Sequence, residues 1–477
     1  MQFNESKSKA MLTTRKRSCD DINIYLNNRR LEQVTEMNFL GIYLDSRLTF
    51  HKHIEHIAEK SKTLAYMLSK TAKLHLGLGH KSLKTVYEGA LVPLMTYGAP
   101  VWEKVIIKQR FLRKMQSAQR LINIKIAKAY RTISYEATCV MAGVPPIGTV
   151  IAGKVQLYKK KHGLENSEYA CDMPLSVNEW PHPDRRVTIT ETNELTTYPI
   201  EIYTDGSKDG GKVGTGVVIY SNKQLVTQCK YKLQHCCSNN QAEQIATLIA
   251  LEQLPKLDDP TGRIVTIFTD SKVTVDSLKN HSKHSFLIEE KRNKVLHLST
   301  LNWTIHFGWV KAHIGIEGNE AADKLAKEAA YDVNDQNIVY DRVPATTVAT
   351  EINMQGIIKW QSQWKSTEKG ALCRSFFPVV KQRLKLKIPI TPEFTAIVTG
   401  HGKTKSYLHR FKLADNPTCA CNEGAQTSEH ITHEYKILDS QRTSLIRNIT
   451  ARGRGMAPCQ RRTGSQLFKC LLNIHQI

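Results

Sequence analysis

Five residues in the middle of a 477-residue chain carry side chains suited to hydrolytic chemistry: Asp205, Glu243, Asp270, Asp323 and His313. They stand in "YTDGS", "NNQAE", "FTDS" and "WVKAHIGIEGNEAADKLA". Singly, each has an ordinary explanation. Asp205 precedes Gly206 and reads as a turn former at the junction where a strand over 200–205 runs out. Glu243 reads as a first-turn acid complementing a helix dipole, Asp270 as an N-cap, and His313 as a solvated loop histidine. Four carboxylates at strand ends and helix starts converging on one sheet edge would, however, repel one another. Hard divalent cations with oxygen ligands relieve that repulsion, and Mg²⁺ is the usual choice beside phosphates.

The elements that must position these side chains are legible around them. Strands are expected at 200–205, 213–221, 224–233, 263–269 and 302–310, and helices near 239–254, 271–280, 283–299 and 317–330. The first three strands, joined by Gly-rich turns, form a meander, and the later strand–helix alternation implies parallel pairing. "RIVTIFTD" is a run of apolar and β-branched residues, as a strand covered on both faces requires. It ends at Asp270, and ligands gather outside the carboxyl ends of such strands. Ser238 and Gln241 fit a capping box ahead of the stripe Ala242, Ile245, Ala246 and Ile249. A second stripe, Ala322, Leu325, Ala326 and Ala329, follows a Gly-punctuated segment bearing His313, Glu317, Asn319 and Glu320.

The length suits roughly two to four domains. Residues 1–50 alternate like strands, 51–171 are helical and basic, 172–198 and 331–350 read as linkers, 199–330 is the mixed α/β domain, and 351–477 mixes helices with loop sequence such as "PCQRRTG". Lys+Arg number 67 against 44 Asp+Glu, a net charge of +23, which points to nucleic acid as partner or else to a basic solvated surface. Eleven cysteines, mostly scattered singly, suit reduced intracellular thiols better than a disulfide framework. The opening "MQFNESKSKAMLTTRKRS" has no apolar core like that of a signal peptide. No apolar run approaches the roughly 18 residues of a membrane span. The expectation is a soluble intracellular protein, nuclear or cytoplasmic, that engages no membrane.

In order and spacing, the four acidic blocks resemble the signatures of type 1 ribonuclease H across about 199–330. The resemblance implies a ribonuclease H-like five-stranded mixed sheet flanked by helices, and hydrolysis of the RNA strand of RNA–DNA hybrids with two Mg²⁺ ions, Mn²⁺ substituting. Asp205 would bridge the metals with Glu243, Asp270 and Asp323, and His313 would assist proton transfer or product departure. Gly206, Ser207, Asn239, Asn240, Gln241, Ser271 and Asn319 would contact substrate, several of them in the minor groove where the 2′-hydroxyl marks RNA. A basic protrusion found in some bacterial members is missing, since one helix is expected between 281 and the strand at 302.

The flanks resemble a retroelement. "LEQVTEMNFLGIYLDSRLTFHKHIEHIAEKSKTLAYMLSK" and "VYEGALVPLMTYGAPVWEK" look like the palm end and thumb of non-LTR retrotransposon reverse transcriptases, of an arthropod kind. The aromatic-x-Asp-Asp hairpin of such polymerases is missing: Asp20–Asp21 lack the preceding aromatic and "LDDPTG" at 257–262 is a turn, so no DNA synthesis is expected. Further on, Cys419, Cys421 and His430 match three ligands of a zinc knuckle, while Tyr435 stands where the last Cys is expected. Either the three bind zinc, with His433 as a substitute ligand, or the segment is metal-free. Trp360 and Trp364, four apart on a helix, read as core rather than as a base-stacking platform. Beside the nuclease stand two other readings: a nucleic-acid-binding remnant without turnover, and an unstable transposon relic.

Overall fold

The computed structural model describes the chain apart from residues 1–3, 5–7, 15, 17–21, 72–77, 166–167, 193–198, 258–261, 333–336 and 453–477. The Asp20–Asp21 pair, most of the turn at 257–262 and the "PCQRRTG" loop lie outside the described residues. The chain forms two compact units, Leu157–Glu351 and a second made of Met1–Gln156 with Ile352–Ile477.

The Leu157–Glu351 unit is built on a six-stranded sheet. In chain order its elements are β1 (Thr190–Thr192), β2 (Ile200–Asp209), β3 (Lys212–Ser221), β4 (Gln224–Leu233), α1 (Asn239–Gln253), β5 (Ile264–Thr269), α2 (Lys272–Lys279), α3 (Phe286–Thr300), β6 (Thr304–Trp309) and α4 (Glu317–Tyr331). The strands lie in the order β4-β3-β2-β5-β6-β1, with β3 antiparallel to both neighbours and β5 parallel to β2 and β6. Five strands are those expected from the sequence. The sixth, β1, comes from the stretch read as a linker and pairs in parallel with β6 from Thr190–His306 to Thr192–Gly308. Three residues are too short to show a period of two, so this pairing left no sequence signal.

The main core lies on the face carrying α1, α2 and α3, with Ile202, Val217, Ile245, Ile267 and Phe307 buried there. A smaller cluster, Tyr203, Val218, Phe268 and Ala322, lies under α4 on the other face. The stripe on α1 is buried throughout, and Ser238 and Gln241 form the capping box.

One expectation is corrected here. Asp205–Gly206 is not the turn. Strand β2 continues to Asp209, with Asp205 opposite Gly216 and Asp209 opposite Lys212. The chain reverses at Gly210 and Gly211, whose φ angles of 53° and 87° supply the left-handed pair that a two-residue hairpin needs. Asp205 therefore sits mid-strand, held extended by the ladder to β3. Gly206 answers a different demand: a Cβ there would stand 2.3 Å from the Glu243 backbone nitrogen, so only glycine lets α1 press onto the strand. Gly214 and Gly216 do the same for α4 on the other face, where added Cβ atoms would fall 2.4 Å from Ala326 O and 2.3 Å from Ala322 O.

The other unit is mainly helical after short N-terminal hairpins such as Glu36–Phe39 with Ile42–Asp45. One core gathers Phe50, Ile54, Trp102, Phe111 and Met115. A second joins residues from both ends of the chain, Tyr87, Ile122 and Met141 with Trp360, Trp364, Phe377 and Phe394. Segments that read as separate regions at 51–171 and 351–477 thus share a core. Buried bonds fasten them, from Thr395 Oγ1 to the Ala127 carbonyl (2.6 Å) and from Arg383 to the Met141 carbonyl (2.8 Å). Trp360 and Trp364 are interior, and Trp364 Nε1 donates to the Phe377 carbonyl at 2.8 Å.

Candidate active site

Parallel pairing of β2 with β5 sets Thr204 beside Thr269, so the next residues, Asp205 and Asp270, emerge side by side. Glu243 arrives from α1 and Asp323 from α4. Neither is a first-turn acid: Glu243 is the fifth residue of α1 and Asp323 the seventh of α4, too far in to serve the helix dipoles. Each of Asp205, Glu243 and Asp270 places a carboxylate oxygen within 4.8 Å of the other two. Asp323 lies close enough to act on the charge of Asp205, and it accepts from Lys327 Nζ at 2.6 Å.

Electrostatics at this cluster follow from burial and like charge. Asp205 is 5% exposed; burial, then the charges of Asp270 and Asp323, push its carboxyl up to about 8, with the Gly206 N–H pulling the other way. Burial, then Asp205 and Asp270, raise Glu243 as well. Burial also raises Asp270, opposed by His313 and reinforced by Asp323. Glu243 Oε2 is buried and has no hydrogen-bond partner among the described residues. Clustered buried carboxyls of this kind are relieved either by protonation or by a cation, and the all-oxygen donor set fits a hard divalent ion.

The remaining candidates fall around this centre. His313 is exposed, in the β6–α4 loop with φ of 56°, and close enough to Asp270 to oppose the rise that burial causes there. Gly206 is buried and Ser207 half-buried on β2, while Asn239 and Asn240 are exposed at the start of α1. Ser271 stands at the N-cap position of α2, its hydroxyl 2.9 Å from that of Thr274. Asn319 is interior, and its Oδ1 has no hydrogen-bond partner among the described residues. Gln241 is interior too, its amide taken up by Ser238, Asp172 and the Arg342 carbonyl. Sequence reasoning passed over Asp172 and the paired glycines of β3. The glycine pair has a signal, since residues 214 and 216 share one strand face. Asp172 has none.

In the other unit, Cys419, Cys421 and His430 also cluster within 4.8 Å. Cys421 Sγ lies 3.1 Å from His430 Nε2, and His430 Nδ1 meets Glu434 at 2.9 Å, which raises the imidazole pKa. His433 is exposed and outside the trio.

Comparison with known proteins places this geometry. A family model described as RNase H matches residues 198–331. Ribonuclease H of Trichodesmium erythraeum is 34% identical over 147 residues, which is 28% of this chain and 88% of that protein. A Retrovirus-related Pol polyprotein from type-1 retrotransposable element R1 4 of Nasonia vitripennis is 33% identical over 149 residues, 31% of this chain. The chain spans only 38% of that relative's length. Among solved structures, LC11-RNase H1 in complex with an RNA/DNA hybrid is 30% identical, covers 28% of this chain and 96% of its own, and has a TM-score of 0.23.

Proposed function

Because the chain belongs to the ribonuclease H family through residues 198–331, we propose that it is an endoribonuclease cutting the RNA strand of RNA–DNA hybrids, derived from a non-LTR retrotransposon. The observation carrying this reading is the convergence of Asp205, Glu243 and Asp270, joined by Asp323, with Glu243 Oε2 buried and without a partner among the described residues.

Asp205, Glu243, Asp270 and Asp323 would hold two divalent cations, Mg²⁺ or Mn²⁺, which when bound supply an activated water and charge stabilisation for an in-line displacement. Asp205 is the central donor, since its carboxylate neighbours Asp270 and Asp323 and also acts on Glu243. The buried sheet edge fixes three of the acids on backbone that ladder and helix bonds cannot easily move. His313, on an exposed loop beside Asp270, takes up or delivers a proton at the leaving oxygen. Asn239 and Asn240 present exposed amides to the hybrid's minor groove, with Ser207 and Ser271 nearer the acids. The +23 net charge favours a polyanionic substrate. These 477 residues hold no aromatic-x-Asp-Asp, so DNA synthesis is no part of the activity proposed for them.

The deciding experiment incubates the full chain with a labelled RNA–DNA hybrid in Mg²⁺, beside duplex RNA. RNA-strand products from the hybrid alone are expected, and none with Asp205→Asn. A folded sample that leaves the hybrid intact, or cleavage that survives Asp205→Asn, would refute the reading.

For the C-terminal trio we propose zinc binding through Cys419, Cys421 and His430. A carboxylate on the second ring nitrogen of a ligating histidine is the usual supporting contact, and Glu434 provides it. Metal analysis should return one zinc per chain, lost in Cys421→Ser; a metal-free wild-type chain purified without chelator would refute this.

A further inference from the structure

Two segments outside the family match at 198–331 are built into the same unit. Cys171–Asp172 pairs with Val343–Pro344 as a short parallel ladder. The second segment also runs along the end of β4, where the Gln234 N–H donates to the Tyr340 carbonyl (2.9 Å) and the Val339 N–H to the Lys232 carbonyl (3.1 Å). Both segments meet at Gln241. Its Nε2 donates to Asp172 Oδ2 at 2.7 Å and to the Arg342 carbonyl at 3.2 Å, and its Oε1 accepts from the Ser238 N–H at 2.9 Å. Gln241 is 4% exposed, and Tyr340, whose ring belongs to the core, is 9% exposed.

Ser238 and Gln241 alone would cap a helix, and water commonly completes such a cap. Here a half-buried carboxylate from another part of the chain takes its place, and a hydrogen bond to a charged acceptor is the stronger kind. Glu243 stands two residues beyond Gln241, where α1 touches β2 so closely that a Cβ on Gly206 would meet the Glu243 nitrogen at 2.3 Å. With no slack in that contact, a shift at the start of α1 moves the Glu243 carboxylate relative to Asp205 and Asp270.

We propose that Asp172 and the 340–342 segment are positioning elements of the carboxylate site: by clamping Gln241 they fix the start of α1, and with it Glu243. The inference rests on reading the acids as a divalent-cation site, and it extends the functional unit beyond 198–331 on both sides.

The test uses the full chain and three measurements: Mn²⁺ binding followed by the electron paramagnetic resonance of the free ion, hybrid cleavage titrated with Mg²⁺, and thermal unfolding in chelator. Asp172→Ala and Gln241→Met should each weaken Mn²⁺ binding about 3–10-fold, below the 10–100-fold typical of groups that touch a ligand directly. The double variant should be no weaker than Gln241→Met alone, because that substitution already removes the Asp172 contact. Asp172→Asn, which keeps an acceptor oxygen, should stay within about 2-fold of wild type. Lower melting temperatures with unchanged Mn²⁺ binding would overturn the proposal, as would failure of the Asn variant to restore binding. If the Ala variant does not fold, Gln241→Met against Asp172→Asn makes the same comparison. A wild-type chain that binds Mn²⁺ yet leaves the hybrid uncut refutes the nuclease reading alone, and the affinity series still decides the role of Asp172.

Discussion

Replacing Asp205 by asparagine should end cleavage and at the same time stabilise the metal-free protein. The side chain is 5% exposed and shares its surroundings with acids whose oxygens lie within 4.8 Å. At that separation one pair of charges costs ~3.5 kcal/mol at an effective dielectric of about 20. Protonation limits the penalty, since burial, Asp270 and Asp323 push the Asp205 carboxyl up to about 8 from 3.8. At pH 7 the unfolded-state value lies about three units below the solution pH, and each unit is about 1.36 kcal/mol, giving a ceiling near 4 kcal/mol. The substituted asparagine escapes that cost but keeps an amide's desolvation, so the expected gain is about 2–4 kcal/mol. The sign in pH follows from the raised folded-state pKa. The folded chain binds the proton that the unfolded chain has lost, so wild-type stability without metal falls as pH rises from 3.8 towards 8. The Asn variant should lose that slope, and in wild type Mg²⁺ affinity should rise through the same window as the acid ionises. The assay is urea unfolding in chelator at pH 5, 6, 7 and 8, followed by hydrogen exchange at the buried Ile202 and Ile267 amides, which report on this unit alone. An Asn variant no more stable than wild type at pH 7, or equally favoured at pH 5 and 8, would refute the reasoning.

Lys291 is fully buried, with its amine 3.3 Å from the Gln244 carbonyl; burial and then Arg292 hold its pKa well below the usual range. Lys291→Met should stabilise this unit by about 1–3 kcal/mol near pH 7. It should also remove a rise in stability with pH towards 10.5, since only the unfolded chain binds that proton; urea titrations at pH 7 and 9 check both. Gly206→Ala should cost at least about 2–3 kcal/mol by forcing α1 off β2, and should raise the Mg²⁺ needed for half-maximal cleavage. If the loop histidine handles a proton and holds no metal, as proposed, His313→Ala should lower kcat about 10²-fold with Mn²⁺ binding within about 3-fold of wild type. Trp364→Ala should destabilise the other unit by about 3–5 kcal/mol in chemical denaturation, leaving exchange at Ile202 unchanged.

The ribonuclease H-like region was legible because its signals are local. A capping Ser-x-x-Gln, an i, i+3, i+4, i+7 stripe and a six-residue apolar strand each state their structure within one element, and α1 and β5 follow them closely. Asp205 shows where local reading stops. Asp-Gly favours a turn in isolation, yet the ladder to Gly216 keeps it extended, and the Gly-Gly five residues on takes the turn instead. Strand β1 is three residues long and the Cys171–Val343 ladder two, so no pattern marks them, and only their partners make them strands.

The sequence by itself therefore determined the residue types of the site and the elements carrying them: four carboxylates, a loop histidine, and strands and helices of the right period. Tertiary structure decided what those residues meet. Register between β2 and β5 puts Asp205 beside Asp270. Glycines at 206, 214 and 216 let α1 and α4 close onto the sheet and bring Glu243 and Asp323 within reach. Side chains as distant as Asp172 become part of the support only where the chain folds back on Gln241. Helix and strand periods are set by neighbours a few residues apart, whereas repulsion, burial and a shared ligand arise between groups that meet only after folding.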